Sequence, residues 1–201
     1  MTWNEVLAKE IAKGIAETHV EGYYDSVAKS TAYSYPSIGI SQWEGKRADE
    51  LLQKIPNGLA FVGRSYEDIV YSGELEDLKA LLRSDEGKKA QIDTLSIDCM
   101  DYVNSLKRVP TLDDTRCFIY AGIWCPTSTS VVRKFLQNRA DRYNLRSLKT
   151  LRDIFKNEYY ISAGVGEEYY WGYANRAEAT YQYVAGIDLT TPYGVPAYNG
   201  L

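Results

Sequence analysis

Histidine is almost missing from this chain, which has His19 as its one imidazole among 201 residues. A Ser-His-Asp or Cys-His nucleophilic site would have to use that residue, and nothing in the sequence pairs with it. Cysteine is scarce too, and Cys99, Cys117 and Cys125 lack the paired short spacings of zinc clusters. The sequence therefore argues against hydrolases of the zinc and cysteine-histidine kinds, and we expect no metal and no cofactor.

The chain also lacks the features of nucleotide and nucleic-acid binding. It contains no Gly-x-Gly-x-x-Gly or Walker-type loop that would cradle phosphates. Its net charge is -4 and its pI about 5.2, whereas a nucleic-acid partner normally demands a basic face. We expect no nucleic acid among its partners.

Long apolar runs are missing as well. No run is long enough to span a bilayer, and the N-terminus has neither the basic start nor the apolar core of a signal peptide. An odd set of three cysteines without framework spacing is typical of free thiols in a reducing compartment. We therefore expect synthesis in the cytoplasm without a signal peptide, and no membrane insertion.

Among the features that are present, the first is a helix with a clear start. Thr2-Trp3-Asn4-Glu5 fits a capping box, so the helix should begin at about Trp3. An apolar stripe follows at helical spacing, made of Trp3, Val6, Leu7, Ile11 and Ile15. Gly22 is a natural stop, which would place Glu21 in the last turn.

That position would raise the pKa of Glu21, because the negative end of the helix dipole disfavours a carboxylate. Partial burial beside Tyr23, Tyr24 or Trp43 would add desolvation, usually the larger upward effect. A carboxyl that stays protonated near neutral pH can serve as a general acid. The plainer alternative is a solvated glutamate at a frayed helix end.

A second run, Ser37 to Gly45, lies about twenty residues further on and forms a glycine-spaced turn with the amide of Gln42 and the indole of Trp43. An amide suits hydrogen bonding to a sugar acetamido group or to a water. A general acid with such a turn suggests a site that cleaves glycosidic bonds. The plainer alternative for Gln42 is a surface glutamine at a helix start.

Together these runs resemble the lysozyme-like superfamily, especially soluble lytic transglycosylases and phage muramidases. Glu21 with the aromatic pair and Ser26-Val27 resembles the family's catalytic segment, although Gly22 stands where serine is usual. Gly39-Ile40-Ser41-Gln42 is similar to its Gly-Leu-Met-Gln segment. Ile119-Tyr120-Ala121-Gly122 resembles a later Ala-Tyr-Asn-Ala-Gly turn without the asparagine. The likeness covers roughly residues 3 to 145.

The resemblance implies that Glu21 protonates the oxygen between N-acetylmuramic acid and N-acetylglucosamine. In a transglycosylase that one carboxyl suffices, whereas a lysozyme usually needs a second carboxylate, for which Asp25 is the candidate. Asp25 could instead cap the following turn. The candidate substrate contacts are Gln42, Ser41, Trp43, Tyr24 and Tyr120, of which Tyr120 and the other aromatic residues could also be plain core.

The biological setting would be a phage endolysin or a tail-associated lysin acting on bacterial peptidoglycan after release. The alternative is a catalytically inactive lysozyme-like module that binds glycan or serves a structural role. The last residues, from Thr190 to Leu201, have linker chemistry, so a separate wall-binding module beyond residue 201 is an open expectation.

The predicted fold class is mainly α, a lysozyme-like α+β fold with a small β-hairpin or ordered loop beside the cleft. Residues 22 to 41, rich in tyrosine, serine and threonine, are the place for that hairpin. The catalytic domain is expected to cover residues 1 to 156. Residues 157 to 201 would form a tyrosine-rich helical extension packed on the same domain, ending in the possible linker.

Overall fold

The structure is a computed structural model that describes residues 2–19, 22–30 and 34–189. Over those residues it is mainly helical with one small antiparallel sheet, which confirms the prediction of a mainly α fold with a small β-hairpin. The helices are α1 (Trp3–Glu17), α2 (Gly45–Leu52), α3 (Tyr66–Tyr71), α4 (Leu75–Arg83), α5 (Asp85–Leu106), α6 (Thr115–Ile123), α7 (Thr129–Gln137), α8 (Leu148–Ser162) and α9 (Tyr170–Gly186). The strands are β1 (Val27–Lys29) and β2 (Pro36–Ile38), and short 3-10 helices cover Gly58–Phe61 and Glu167–Tyr169. None of the described helices combines the length and apolarity that crossing a membrane requires.

The chain divides into two compact units. The first, here called the outer unit, consists of the described parts of residues 1–18 and 96–201. The second, here called the inserted unit, covers the described parts of residues 19–95. This division differs from the expected one, because the boundary expected between residues 156 and 157 lies inside α8.

The outer unit is built around α6. Residues 117–125 are all buried. A helix whose residues are apolar on every side is stable only when other elements cover it all round. Helices α1, α8 and α9 pack against it. Beyond its C-terminal end, the ring of Trp124 lies 4.7 Å from Phe155 and 5.0 Å from Tyr159, so aromatic packing closes this core.

Helix α1 starts as predicted and ends earlier than predicted. Thr2 and Glu5 form the capping box, with both reciprocal hydrogen bonds present. The helix ends at Glu17, where the Thr18 hydroxyl donates to the Gly14 carbonyl at 2.6 Å. The expectation that Gly22 stops this helix, with Glu21 in its last turn, is therefore wrong, and the dipole argument for a raised pKa loses its basis.

The inserted unit holds the hairpin in the predicted stretch. Strands β1 and β2 pair antiparallel, with Val27 opposite Ile38 and Lys29 opposite Pro36. The chain then turns back on itself, since Ile38 and Trp43 exchange two backbone hydrogen bonds of 2.9 Å. Helix α2 begins two residues later, which leaves Gly39 to Gln42 as a tight turn with a fixed start and end.

Candidate functional site

The turn Gly39–Gln42 is the best-defined part of the candidate site. Gly39 has a φ of 73°, and its N–H donates to the Ser26 carbonyl at 2.8 Å. The Gln42 N–H donates to the Gly39 carbonyl at 3.2 Å. The buried side chain of Ile40 anchors the middle of the turn in the core of the inserted unit. The turn is thus held both by its own backbone and by its neighbours.

Gln42 has a backbone conformation that non-glycine residues adopt rarely. Its φ is 51°, which costs roughly 1 kcal/mol for a residue with a Cβ atom. Side-chain bonds offset this cost: its Nε2 donates to the Gly39 carbonyl at 3.1 Å, and its Oε1 accepts from the Ser37 hydroxyl at 3.0 Å. Backbone strain of this kind concentrates at functional sites.

The carboxamide of Gln42 lies against Gly22. A Cβ atom added at Gly22 would be 3.2 Å from Gln42 Nε2 and 3.3 Å from the Gly39 carbonyl oxygen. Glycine at this position therefore allows the close approach, because a side chain there would crowd both atoms. Glu21, the preceding residue and the candidate acid, lies outside the described residues.

Asp25 and Tyr24 lie beside this turn in a cationic setting. The carboxylate of Asp25 is 3.6 Å from the Arg83 guanidinium, and both side chains are largely exposed. The Lys88 ammonium lies 5.6 Å from the centre of the Tyr24 ring, and that tyrosine is half-buried. Asp25 thus remains a candidate second carboxylate with an exposed ion-pair partner.

Trp43 and Ser41 have different surroundings. Trp43 is 3% exposed, so its ring is part of the core of the inserted unit and offers no open face for a sugar. Ser41 is half-buried within the turn, and its role as a substrate contact stays a prediction. Of these two candidate substrate contacts we retain only Ser41.

Tyr120 does not fit the role that the resemblance implied. Its side chain is fully buried in the outer unit, and its hydroxyl donates to the Ala177 carbonyl at 3.1 Å. Burial raises its pKa well above the usual range for tyrosine. Ile119 to Gly122 form the interior of α6, whereas the family element is a turn. Burial in the core of the outer unit is therefore enough to account for the residue types at positions 119 to 122.

Sequence reasoning missed Gln91, which is fully buried and reaches the turn from α5. Its Oε1 accepts from the Ile40 N–H at 3.0 Å, and its Nε2 donates to the Leu82 carbonyl at 2.8 Å. The sequence carried no signal for this role, because burial cannot be read from the letters and Gln91 has polar helix neighbours such as Lys88 and Thr94. Once buried, such a side chain needs partners for both ends.

A surface cavity in the inserted unit lies elsewhere. Its volume is about 390 Å³, and its lining includes Pro56, Phe61 and Leu81 with the carboxylates of Asp77 and Glu86. None of the candidate site residues lines it. The candidate site therefore consists of the Gly39–Gln42 turn and its neighbours, and this cavity is not part of it.

Comparison of the chain with protein-family models, with curated proteins and with solved structures finds no match.

Proposed function

We propose that this chain cleaves the glycan strands of peptidoglycan between N-acetylmuramic acid and N-acetylglucosamine, as a phage endolysin or tail-associated lysin, with Glu21 as general acid and base. The observation that carries the proposal is the strained Gln42 turn, whose carboxamide is held against the residue that follows Glu21. A residue held in a costly backbone conformation, next to the segment that carries the candidate acid, supports a functional role for both.

In the proposed reaction Glu21 gives its proton to the bridging oxygen as the glycosidic C–O bond breaks, which leaves an oxocarbenium-like centre. The resulting carboxylate then accepts a proton from the muramyl 6-hydroxyl, whose oxygen closes an anhydro ring. Alternatively it accepts a proton from water, whose oxygen adds to the anomeric carbon. The second route usually requires another carboxylate, and Asp25 is the candidate.

Gln42 would orient the sugar or the water. An amide group has two N–H donors and an oxygen with two lone pairs. The bonds to Gly39 and Ser37 use one donor and one lone pair. Within the described residues this leaves one N–H and one lone pair, which suits an acetamido group or a positioned water.

The second candidate function is a catalytically inactive lysozyme-like module. The same two bonds favour it, since Gln42 could be retained only to stabilise its own turn. The two functions differ in one measurable respect, because only the enzyme releases soluble fragments from walls.

The test is clearing of purified bacterial walls by the wild type, by Glu21→Gln and by Glu17→Gln. Glu17 is an exposed glutamate four residues earlier, so it controls for the loss of one negative charge. We expect clearing by the wild type and by Glu17→Gln, and a loss of at least about a hundredfold in Glu21→Gln, the lower range for general-acid catalysis. Equal clearing by all three would remove Glu21 from the mechanism.

Mass spectrometry of the released muropeptides separates the two chemical routes. Anhydro ends identify a transglycosylase, and reducing ends identify a hydrolase. With hydrolytic products, Asp25→Asn should slow turnover; unchanged turnover would show that Asp25 is not the second carboxylate.

A further inference from the structure

We infer that Gln91 is a positioning residue for the proposed glycan-cleaving site, in that its buried carboxamide holds the Gly39–Gln42 turn in the shape that presents Gln42. The inference extends the proposed function by adding a residue that touches no substrate. It depends on contacts made entirely within the inserted unit.

The first support is the pair of hydrogen bonds at opposite ends of one side chain. Gln91 connects the Ile40 N–H in the turn to the Leu82 carbonyl near the end of α4. Residues 40 and 91 are far apart in sequence, so this bond links the turn to the helical part of the unit. Because Gln91 is fully buried, losing either bond would leave a backbone group without its partner away from water.

The second support is independent and comes from Gly39. A Cβ atom added there would be 2.4 Å from Gln91 Oε1 and 3.1 Å from the Trp43 ring. The space that a side chain would fill is therefore occupied by the Gln91 carboxamide. The glycine thus serves two needs, the positive φ and the approach of Gln91.

These contacts place Gln91 one step from the functional side chain. Gln91 fixes Ile40, Ile40 lies two residues before Gln42, and Gln42 has the strained backbone whose carboxamide lies against Gly22. A turn released from Gln91 could relax the φ of Gln42 and move its carboxamide. Cleavage should then slow even though the helices remain folded.

Two variants test this in the full chain. Gln91→Met keeps the volume and removes both hydrogen bonds. Gln91→Glu keeps both bonds only while its carboxyl is protonated, because an ionised carboxylate cannot donate to the Leu82 carbonyl. Gln53→Glu adds the same charge at the exposed end of α2 and is the matched control.

The first readout is amide hydrogen exchange of the Ile40 N–H and of residues 36 to 46, measured without substrate. We expect exchange about tenfold faster in Gln91→Met than in the wild type, roughly the effect of one lost hydrogen bond, with circular dichroism unchanged. Gln91→Glu should match the wild type at low pH, where its carboxyl is protonated, and exchange faster than the wild type at the same pH once that carboxyl ionises. Burial places this change above about 4.3, the ordinary pKa of glutamate. Equal exchange in the wild type and in folded Gln91→Met would overturn the inference.

The second readout is wall cleavage as a function of wall concentration. We expect Gln91→Met to lower the maximal rate with a smaller change in half-saturating wall concentration. Gln91→Glu should recover activity relative to the wild type as the pH falls, while Gln53→Glu shows no such recovery. Faster exchange with unchanged cleavage would also overturn the positioning role. If the wild type and Glu21→Gln cleave equally, the proposed function fails, and the exchange experiment still decides whether Gln91 holds the turn.

Discussion

The crossing of α1 and α6 in the outer unit gives a sharp test of its packing. A Cβ atom added at Gly122 would lie 2.3 Å, 2.5 Å and 3.2 Å from three side-chain carbons of Ile11. Ile11 is fully buried, and rotating its terminal methyl group relieves only the shortest of these contacts. Helix propensity alone would make Gly122→Ala more stable by about 1 kcal/mol, whereas overpacking of a core costs about 1–3 kcal/mol.

We expect overpacking to dominate, because the contacts involve both branches of a side chain that has no room to move. Gly122→Ala should lower the free energy of unfolding by about 1–3 kcal/mol, and each kcal/mol corresponds to about 2–4 °C in Tm for a chain of this size. Urea titration followed by circular dichroism measures the free energy, and differential scanning calorimetry measures the Tm.

Gly172→Ala is the matched control, since it lies in α9 with no described atom within 4 Å of an added Cβ. It should be neutral or more stable by up to about 1 kcal/mol. In an Ile11→Ala background the penalty of Gly122→Ala should shrink or reverse, because the three opposing carbons are gone. A Gly122→Ala protein at least as stable as the wild type would refute the close crossing.

Two further predictions concern the outer unit. Burial alone would raise the pKa of Glu158, but hydrogen bonds from the Tyr143 hydroxyl at 2.7 Å and from Arg139 at 2.8 Å outweigh it and lower the pKa below the usual 4.5. This stabilisation is present above the unfolded pKa and is lost as the pH falls. The stability difference between the wild type and Glu158→Gln should therefore shrink below about pH 4.5, which urea titration at several pH values measures. A stability difference that stays constant with pH would contradict this prediction. Tyr120→Phe removes one buried hydrogen bond, to the Ala177 carbonyl, and should lower the free energy of unfolding by about 0.5–1.5 kcal/mol. Wall cleavage per folded molecule should stay unchanged. A large loss of cleavage with little loss of stability would restore Tyr120 as a candidate substrate contact.

Features that depend on neighbours in sequence could be predicted. The capping box of Thr2 and Glu5 and the Ser147 cap of α8 each join residues three apart, so the letters alone indicate them. The location of the hairpin could be predicted because residues 22 to 41 combine turn residues with little helical periodicity. The fold class followed from the same local patterns.

Features that depend on distant contacts could not be predicted. Asp85 to Gly87 combine two acidic residues with a glycine, a pattern typical of a break between helices. In the structure they are the first turn of α5, where acidic residues favour the helix start and the Ser84 hydroxyl accepts from the Gly87 N–H at 3.0 Å. Gln91 belongs to the turn through a contact across 51 positions. In the candidate site the sequence indicated the Gln42 turn, whereas the burial of Trp43 and Tyr120 depends on helices that pack around them.

The division of the outer unit between two separate stretches has a consequence for biosynthesis. Helix α1 ends at residue 17 and its partner α6 begins at residue 115, so the ribosome must add about 100 residues before the two can meet. At about 5–20 residues per second, α1 waits roughly 5–20 s with its apolar stripe uncovered. During that interval the nascent chain is open to chaperone binding and to aggregation, and slower translation through residues 19–95 would lengthen the exposure.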